Sequence, residues 1–205
     1  MLLDAAVLTL VVGLLIGRGR ITRLKDLDLR APSVFILAAV VKVSLMVLGA
    51  RQSSLAVAAG GPINIICYLL ILVGLWLNRH RWEMRLVGVG VLLNSLVIVV
   101  NGGSMPVDRG LAQQAGNIAL VRLLDSPSYV THKPVTERTR LRPLADVVAL
   151  PMLIPRPRFF SPGSVGDVFI TAGVCWLILA AMGAFGLSRK SKGVGGPALG
   201  DSLGE

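Results

Sequence analysis

The sequence predicts an all-α fold: a polytopic membrane helical bundle of about five transmembrane helices, with an outer re-entrant or interfacial segment. Three observations predict it. The 205-residue chain is 54% hydrophobic and only 16% charged, with a mean hydropathy of +0.73, a balance that soluble domains do not usually carry. Uncharged apolar runs of roughly 15–22 residues recur, close to the length that crosses a bilayer's hydrocarbon. The basic residues gather at the ends of those runs, as topology signals do. The net charge of +10 would point to nucleic acid in a soluble chain. Flanking positions point to lipid headgroups instead, and no nucleic-acid partner is expected.

The first span covers residues 2–16 and is followed by Arg18, Arg20, Arg23, Lys25 and Arg30. It has no basic region before it and no small-residue cleavage site, so it reads as an uncleaved span rather than a signal peptide. The second span, 33–50, opens after Pro32. The third, 62–77, opens at Gly60, Gly61 and Pro62, a turn followed by a helix start. Arg79, Arg81 and Arg85 then precede the fourth span, 86–100. The fifth, 165–187, is followed by Arg189, Lys190 and Lys192. Residues 1–187 thus read as one membrane domain, and 188–205 as a disordered tail rich in Gly and Ser.

The short links orient the bundle. The links after the first and third spans and the tail are rich in Lys and Arg, whereas the link 51–61 holds only Arg51. The expectation is an N-terminus outside and a C-terminus inside. The long segment 101–164 then lies outside. It is too long for a structureless loop in so small a protein. It holds two apolar patches, 118–124 and 144–154. The second, interrupted by Pro151 and Pro155, reads as an interfacial or re-entrant element.

Several polar residues sit where membrane helices resist them. Lys42 lies mid-span, at an insertion cost of roughly 2.5–3.5 kcal/mol. It must face the bundle interior, either as a structural partner or as a cation for a substrate anion. Asn94 and Asn101 follow Gly90 on the fourth span. They suit either interhelical hydrogen bonding or a polar substrate-binding lining. Asp167, Thr171 and Cys175 repeat every four residues and share one helix face. Asp167 suits a helix N-terminus, but Asp146, in an apolar patch, has no such explanation. The proline-rich loop between them could fold back and bring them together. Two adjacent carboxylates cannot both ionise, and the pair would supply a general acid and a general base. The Gly-rich stretch NGGSMPVDRG (101–110) reads as a tight helix exit, or as an anion nest with Arg109 as its cation. Cys67 and Cys175 read as free apolar side chains. No metal-ligand cluster and no cofactor motif is present in the sequence.

Two resemblances attach to these motifs. NGGSMPV (101–107), LADVVALP (144–151) and SVGDVFITAG (164–173) resemble an uncharacterised bacterial multipass membrane family, a domain of unknown function. That resemblance implies the bacterial inner membrane and no activity. More distantly, LADVVALP and SVGDVFITAG are similar to the C-terminal part of lipoprotein signal peptidase, a membrane aspartic peptidase. By that resemblance Asp146 and Asp167 would be the catalytic dyad, and the substrate a lipid-anchored or membrane-buried protein. The sequence departs from that family at Leu93–Asn94, which lacks its Asp-Arg pair, and at Ser164 and Gly166, where the family has Asn and Ala. Membrane lipids or another membrane subunit are the alternative partners. The readings left open are a membrane-embedded hydrolase, a carrier for an amphiphilic anion built on Lys42 and basic residues of the outer segment (Arg138, Arg140, Arg142, Arg156, Arg158), and a non-catalytic subunit.

Overall fold

A computed structural model describes residues 2–15, 21–152 and 158–183. It is a mostly helical bundle carrying a small mixed crown at one end. Four helices are long and apolar enough to cross a membrane: α2 (Pro32–Ala50), α3 (Ser54–Leu77), α4 (Trp82–Val100) and α7 (Val165–Met182). The first span is described as a shorter helix, α1 (Leu2–Leu15), so among the described residues four helices meet the length criterion. Residue 16, residues 184–187 of the last span, the tail and Arg156 lie outside the described residues.

α4 is the central helix. Half of its span is buried, against 17–22% for the other three. It packs between α3 and α7, α2 packs on α3, and α1 on α7. Leu75, Met84, Val87 and Val91 form the inner core, with Leu72, Ile170 and Val174 against them. The opposite faces carry exposed Ile36, Val40, Val43, Leu69, Val73, Leu92 and Leu96, an apolar surface that water would not tolerate at this extent and lipid would.

The helix ends follow from local chemistry. Ser164 caps α7 by accepting from the Asp167 N–H, and the Asp167 carboxylate in turn accepts from the Ser164 N–H, a capping box. Gly183 closes α7 at φ 72°, where a side chain would be strained. Asn101, Gly102 and Gly103 end α4, the glycines at φ 70° and 89°. At the other end Asn78, fully buried, bonds Arg30 through both its N–H and its C=O at 2.8 Å. That pair ties the start of α2 to the end of α3. Asn78→Ala should cost about 1–3 kcal/mol by orphaning the Arg30 groups, read as a lower unfolding midpoint in detergent.

One expectation about elements is corrected. The third helix does not begin at Pro62; it begins at Ser54, and Pro62 lies inside it. Gly60 and Gly61 serve packing rather than a turn. A Cβ on Gly60 would strike Val130, and one on Gly61 the Gly102 carbonyl. The described part of the 144–154 patch, expected as an interfacial or re-entrant element, forms one arm of a hairpin. A 3-10 turn (Arg142–Leu144) leads into strand β3 (Val148–Pro151), which pairs antiparallel with β4 (Phe160–Gly163). Proline is tolerated on edge strands, and in a two-stranded hairpin both strands are edges.

The crown is completed by β1 (Met105–Val107) and β2 (His132–Pro134), which pair in parallel, and by short helices α5 (Arg109–Gln114) and α6 (Ile118–Leu124). Asp108 and Asn117 cap those helices. Asp146 joins the other edge of β1 through a bridge to Val107. Met105 and Ala145 pack onto Val97 and Ile98 of α4, so the crown sits directly on the central helix.

Candidate functional site

The polar cluster lies where the crown meets α3, α4 and α7. Its first part is a clamp between α4 and α7. Asn94 Nδ2 donates to Asp167 Oδ1 at 3.0 Å, and Asn94 Oδ1 accepts from Ser164 Oγ at 2.9 Å. Asn94 can reach because Gly90 and Gly166 let the two helices touch at backbone distance. Both Asp167 oxygens are therefore engaged, one by the α7 N-terminus and one by Asn94.

Asp146 reaches the same neighbourhood from the crown. Its N–H donates to the Pro106 carbonyl and its C=O accepts from the Asp108 N–H, both at 3.0 Å. The β3–β4 hairpin sets Val148 opposite Gly163. Asp146 lies two residues before that pair and Asp167 four residues after it, so the segment folds back on itself and the charge of Asp167 is felt at Asp146. Asp146 Oδ1 is buried without a hydrogen-bond partner. Burial, and then the charge of Asp167, push its carboxyl up to about 7. One turn deeper, Thr171 Oγ1 is also buried without a partner. Tyr68 packs beside this group with Ile65, against Val97 and Ala145.

Lys42 belongs to a neighbouring network. Its ammonium donates to Asn64 Oδ1 at 2.6 Å and stands 5.3 Å from the centre of the Tyr68 ring. Asn64 passes the link on, donating to the Gly103 carbonyl at 2.7 Å. A structural partner was one expectation for Lys42, and an amide oxygen and an aromatic face take that place. On the crown, His132 stacks on Tyr129 and contacts Thr131 Oγ1 through Nδ1 at 3.0 Å. Burial, and then the charge of Lys42, push His132 down to about 4, so it is neutral near pH 7.

The other expected site residues are elsewhere. Asn101 pairs with the Arg140 backbone through both N–H and C=O and lines a shallow cleft of about 260 Å³ with Pro106, Lys133 and Arg138. Arg109 is not the cation of a glycine nest. It holds Asp125 in a bidentate pair at 2.8–2.9 Å on the crown surface. Its five donors and flat fork suit that carboxylate. Tyr68 and Asn64 were missed by sequence reasoning. The available signal was Lys42 itself, since a mid-span ammonium demands a polar partner at the same depth.

Comparison with known proteins adds the family and no activity. A protein-family model described as a family of unknown function (DUF5317) matches residues 26–179. No curated protein and no solved structure matches the chain. The resemblance to lipoprotein signal peptidase finds no support in these comparisons. The match takes in α2, α3, α4, the crown and nearly all of α7, so this membrane protein belongs to the DUF5317 family, whose function is unknown.

Proposed function

We propose that the protein is a membrane-embedded hydrolase that uses Asp146 and Asp167 as an acid–base pair. On this reading the crown faces the outside of the inner membrane and the basic links face the cytoplasm. The substrate is a lipid-anchored or membrane-buried polypeptide. One observation supports the proposal: two carboxyl groups from different elements influence each other electrostatically, and their environments differ. Asp167 accepts hydrogen bonds from two N–H donors, whereas Asp146 has an unpartnered oxygen and a carboxyl raised to about 7. Two carboxyls in unlike environments can divide the acid and base roles between them. Asp167 takes a proton from water, the hydroxide adds to the peptide carbonyl carbon, and Asp146 donates its proton to the carbonyl oxygen. Asp167 then gives the proton it took from water to the amide nitrogen, a hydroxyl of the adduct returns a proton to Asp146, and collapse breaks the C–N bond to release a carboxylic acid and an amine.

The test is hydrolysis of a fluorogenic diacylated lipopeptide by the purified protein in micelles. Cleavage by the wild type, lost in Asp146→Asn with the unfolding midpoint retained, is the expected result. Full activity of Asp146→Asn, or no cleavage by the wild type across pH 5–8, would reject the reading.

A specific observation favours a second reading, that of a non-catalytic subunit. The capping box and Asn94 already account for both Asp167 oxygens. The crown would then be a docking platform, with Lys133 and Arg138 at its cleft. Stable co-purification of a membrane partner that survives Asp146→Asn but not crown substitutions would support it. A carrier role for Lys42 has less support, because its ammonium is already held by Asn64 and Tyr68.

A further inference from the structure

A second feature lies at the opposite end of the bundle. The end of α3 and the start of α4 flank an apolar groove there of about 830 Å³, lined by Leu72, Val73, Trp76, Val89 and Leu92 among others. Gly88 is part of its wall, and nothing lies within 4 Å of where its Cβ would be. Arg79 and Arg85 stand at its mouth. We propose that this groove binds one anionic phospholipid, its acyl chain along α3 and α4 and its phosphate on Arg79 and Arg85.

Three observations converge on that occupant. The first is length. From Leu69 to the helix end at Leu77 is a rise of about 12 Å, with Arg79 two residues beyond in the turn, close to one leaflet's half of the roughly 30 Å hydrocarbon core. A chain seated against Leu69 would leave its headgroup level with the arginines. The second is the level itself. Trp76, Trp82 and Trp176 cluster towards this end, with the Trp82 and Trp176 rings 4.8 Å apart, and Trp is enriched at membrane interfaces.

The third is charge. Arg79 lies over the Trp76 ring at 4.4 Å and donates to the Trp76 carbonyl at 3.0 Å. Arg85 spends its Nε–H on the Arg79 carbonyl at 2.6 Å, which leaves both terminal amino groups for a phosphate. Among the described residues neither arginine is in an ion pair. The chain's own alternative occupant is 184–205, which carries Arg189, Lys190 and Lys192 and would bring like charge to the same mouth. An anionic lipid satisfies both the apolar wall and the two cations.

Trp76 lies in the groove wall and reports occupancy. In a Trp82→Phe, Trp176→Phe background, the protein is placed in phosphatidylcholine nanodiscs doped with brominated phosphatidylglycerol or brominated phosphatidylcholine. Brominated phosphatidylglycerol should quench Trp76 at the lower mole fraction, by roughly fivefold per arginine. The preference should fall in Arg79→Gln/Arg85→Gln. It should also fall in Gly88→Leu, which fills the groove while leaving both cations in place. Equal quenching by the two lipids would overturn the proposal. A preference unchanged in Gly88→Leu would also overturn it, because the contact would then be with the headgroup alone.

Discussion

Replacing Gly166 by alanine is expected to destabilise the bundle by about 3–5 kcal/mol, more than overpacking by one methyl group usually costs. The reason is the contact between α4 and α7. A Cβ on Gly166 would overlap Asn94 Oδ1 and come within 2.6 Å of the Gly90 carbonyl. The reverse face is as tight, since a Cβ on Gly90 would overlap the Gly166 carbonyl and lie 2.8 Å from Ile170 N. Backbone cannot yield as a flexible side chain can, so the helices must separate. Overpacking of this kind costs about 1–3 kcal/mol by itself. Here separation also breaks the Asn94 bonds to Asp167 and Ser164, and each buried polar group left unpaired adds about 1–3 kcal/mol. Gly88→Ala is the control in the same bundle. Its Cβ meets nothing within 4 Å, and alanine favours helix over glycine by up to about 1 kcal/mol. Thermal unfolding in one detergent compares the two. Equal midpoints for Gly166→Ala and Gly88→Ala would show that the crossing is not as tight as the glycines imply.

That contact also shows what the sequence could and could not carry. The spans were legible because hydropathy depends on composition along one helix, and α2, α4 and α7 fall close to the runs that predict them. Asp167 as a first-turn residue was legible for a similar reason, since capping is local to Ser164–Asp167. The start of α3 was not. Gly60, Gly61 and Pro62 form a turn signal in isolation, whereas the packing of Val130 and Gly102 against the two glycines is a tertiary contact that local signals do not carry. The β3–β4 hairpin was hidden by its prolines, which argue against a strand until both strands are known to be edges. Asp146 was marked by being an acid in an apolar patch, but its attachment to β1 joins residues about 40 apart in sequence. Tyr68 and Asn64 were not legible because one aromatic and one amide in an apolar run carry no sign of which face they occupy. Arg109 was misplaced because its glycine neighbours suggested a nest, whereas its partner Asp125 lies on the far side of α5 and α6 in sequence.

Asp146→Asn should raise stability at pH 8 and change it little at pH 4, the opposite of what losing a paired carboxylate does. In the folded protein the Asp146 carboxyl is raised to about 7, by burial first and by the Asp167 charge second. In the unfolded chain it titrates near 3.9. Between those values the unfolded state releases a proton that the folded state keeps, so stability falls as pH rises from about 4 towards 7. Above about 7 the folded protein must hold a buried carboxylate beside Asp167, and the full penalty is present, on the order of a few kcal/mol. Asparagine imitates the protonated acid in shape and cannot ionise, so the variant escapes that penalty. His132 titrates in the opposite sense. Its lowered value makes stability rise as pH climbs from about 4 to 6.5, so the comparison must be between wild type and Asp146→Asn at each pH, where the histidine cancels. The readout is the difference in unfolding midpoint at pH 4, 6 and 8, expected to grow with pH in favour of Asp146→Asn. A variant less stable by the same amount at all three would mean that Asp146 is ionised and paired, with no proton to donate. The growing difference would instead give the proposed acid its proton at neutral pH, and would let loss of hydrolysis in Asp146→Asn be read as chemistry rather than misfolding.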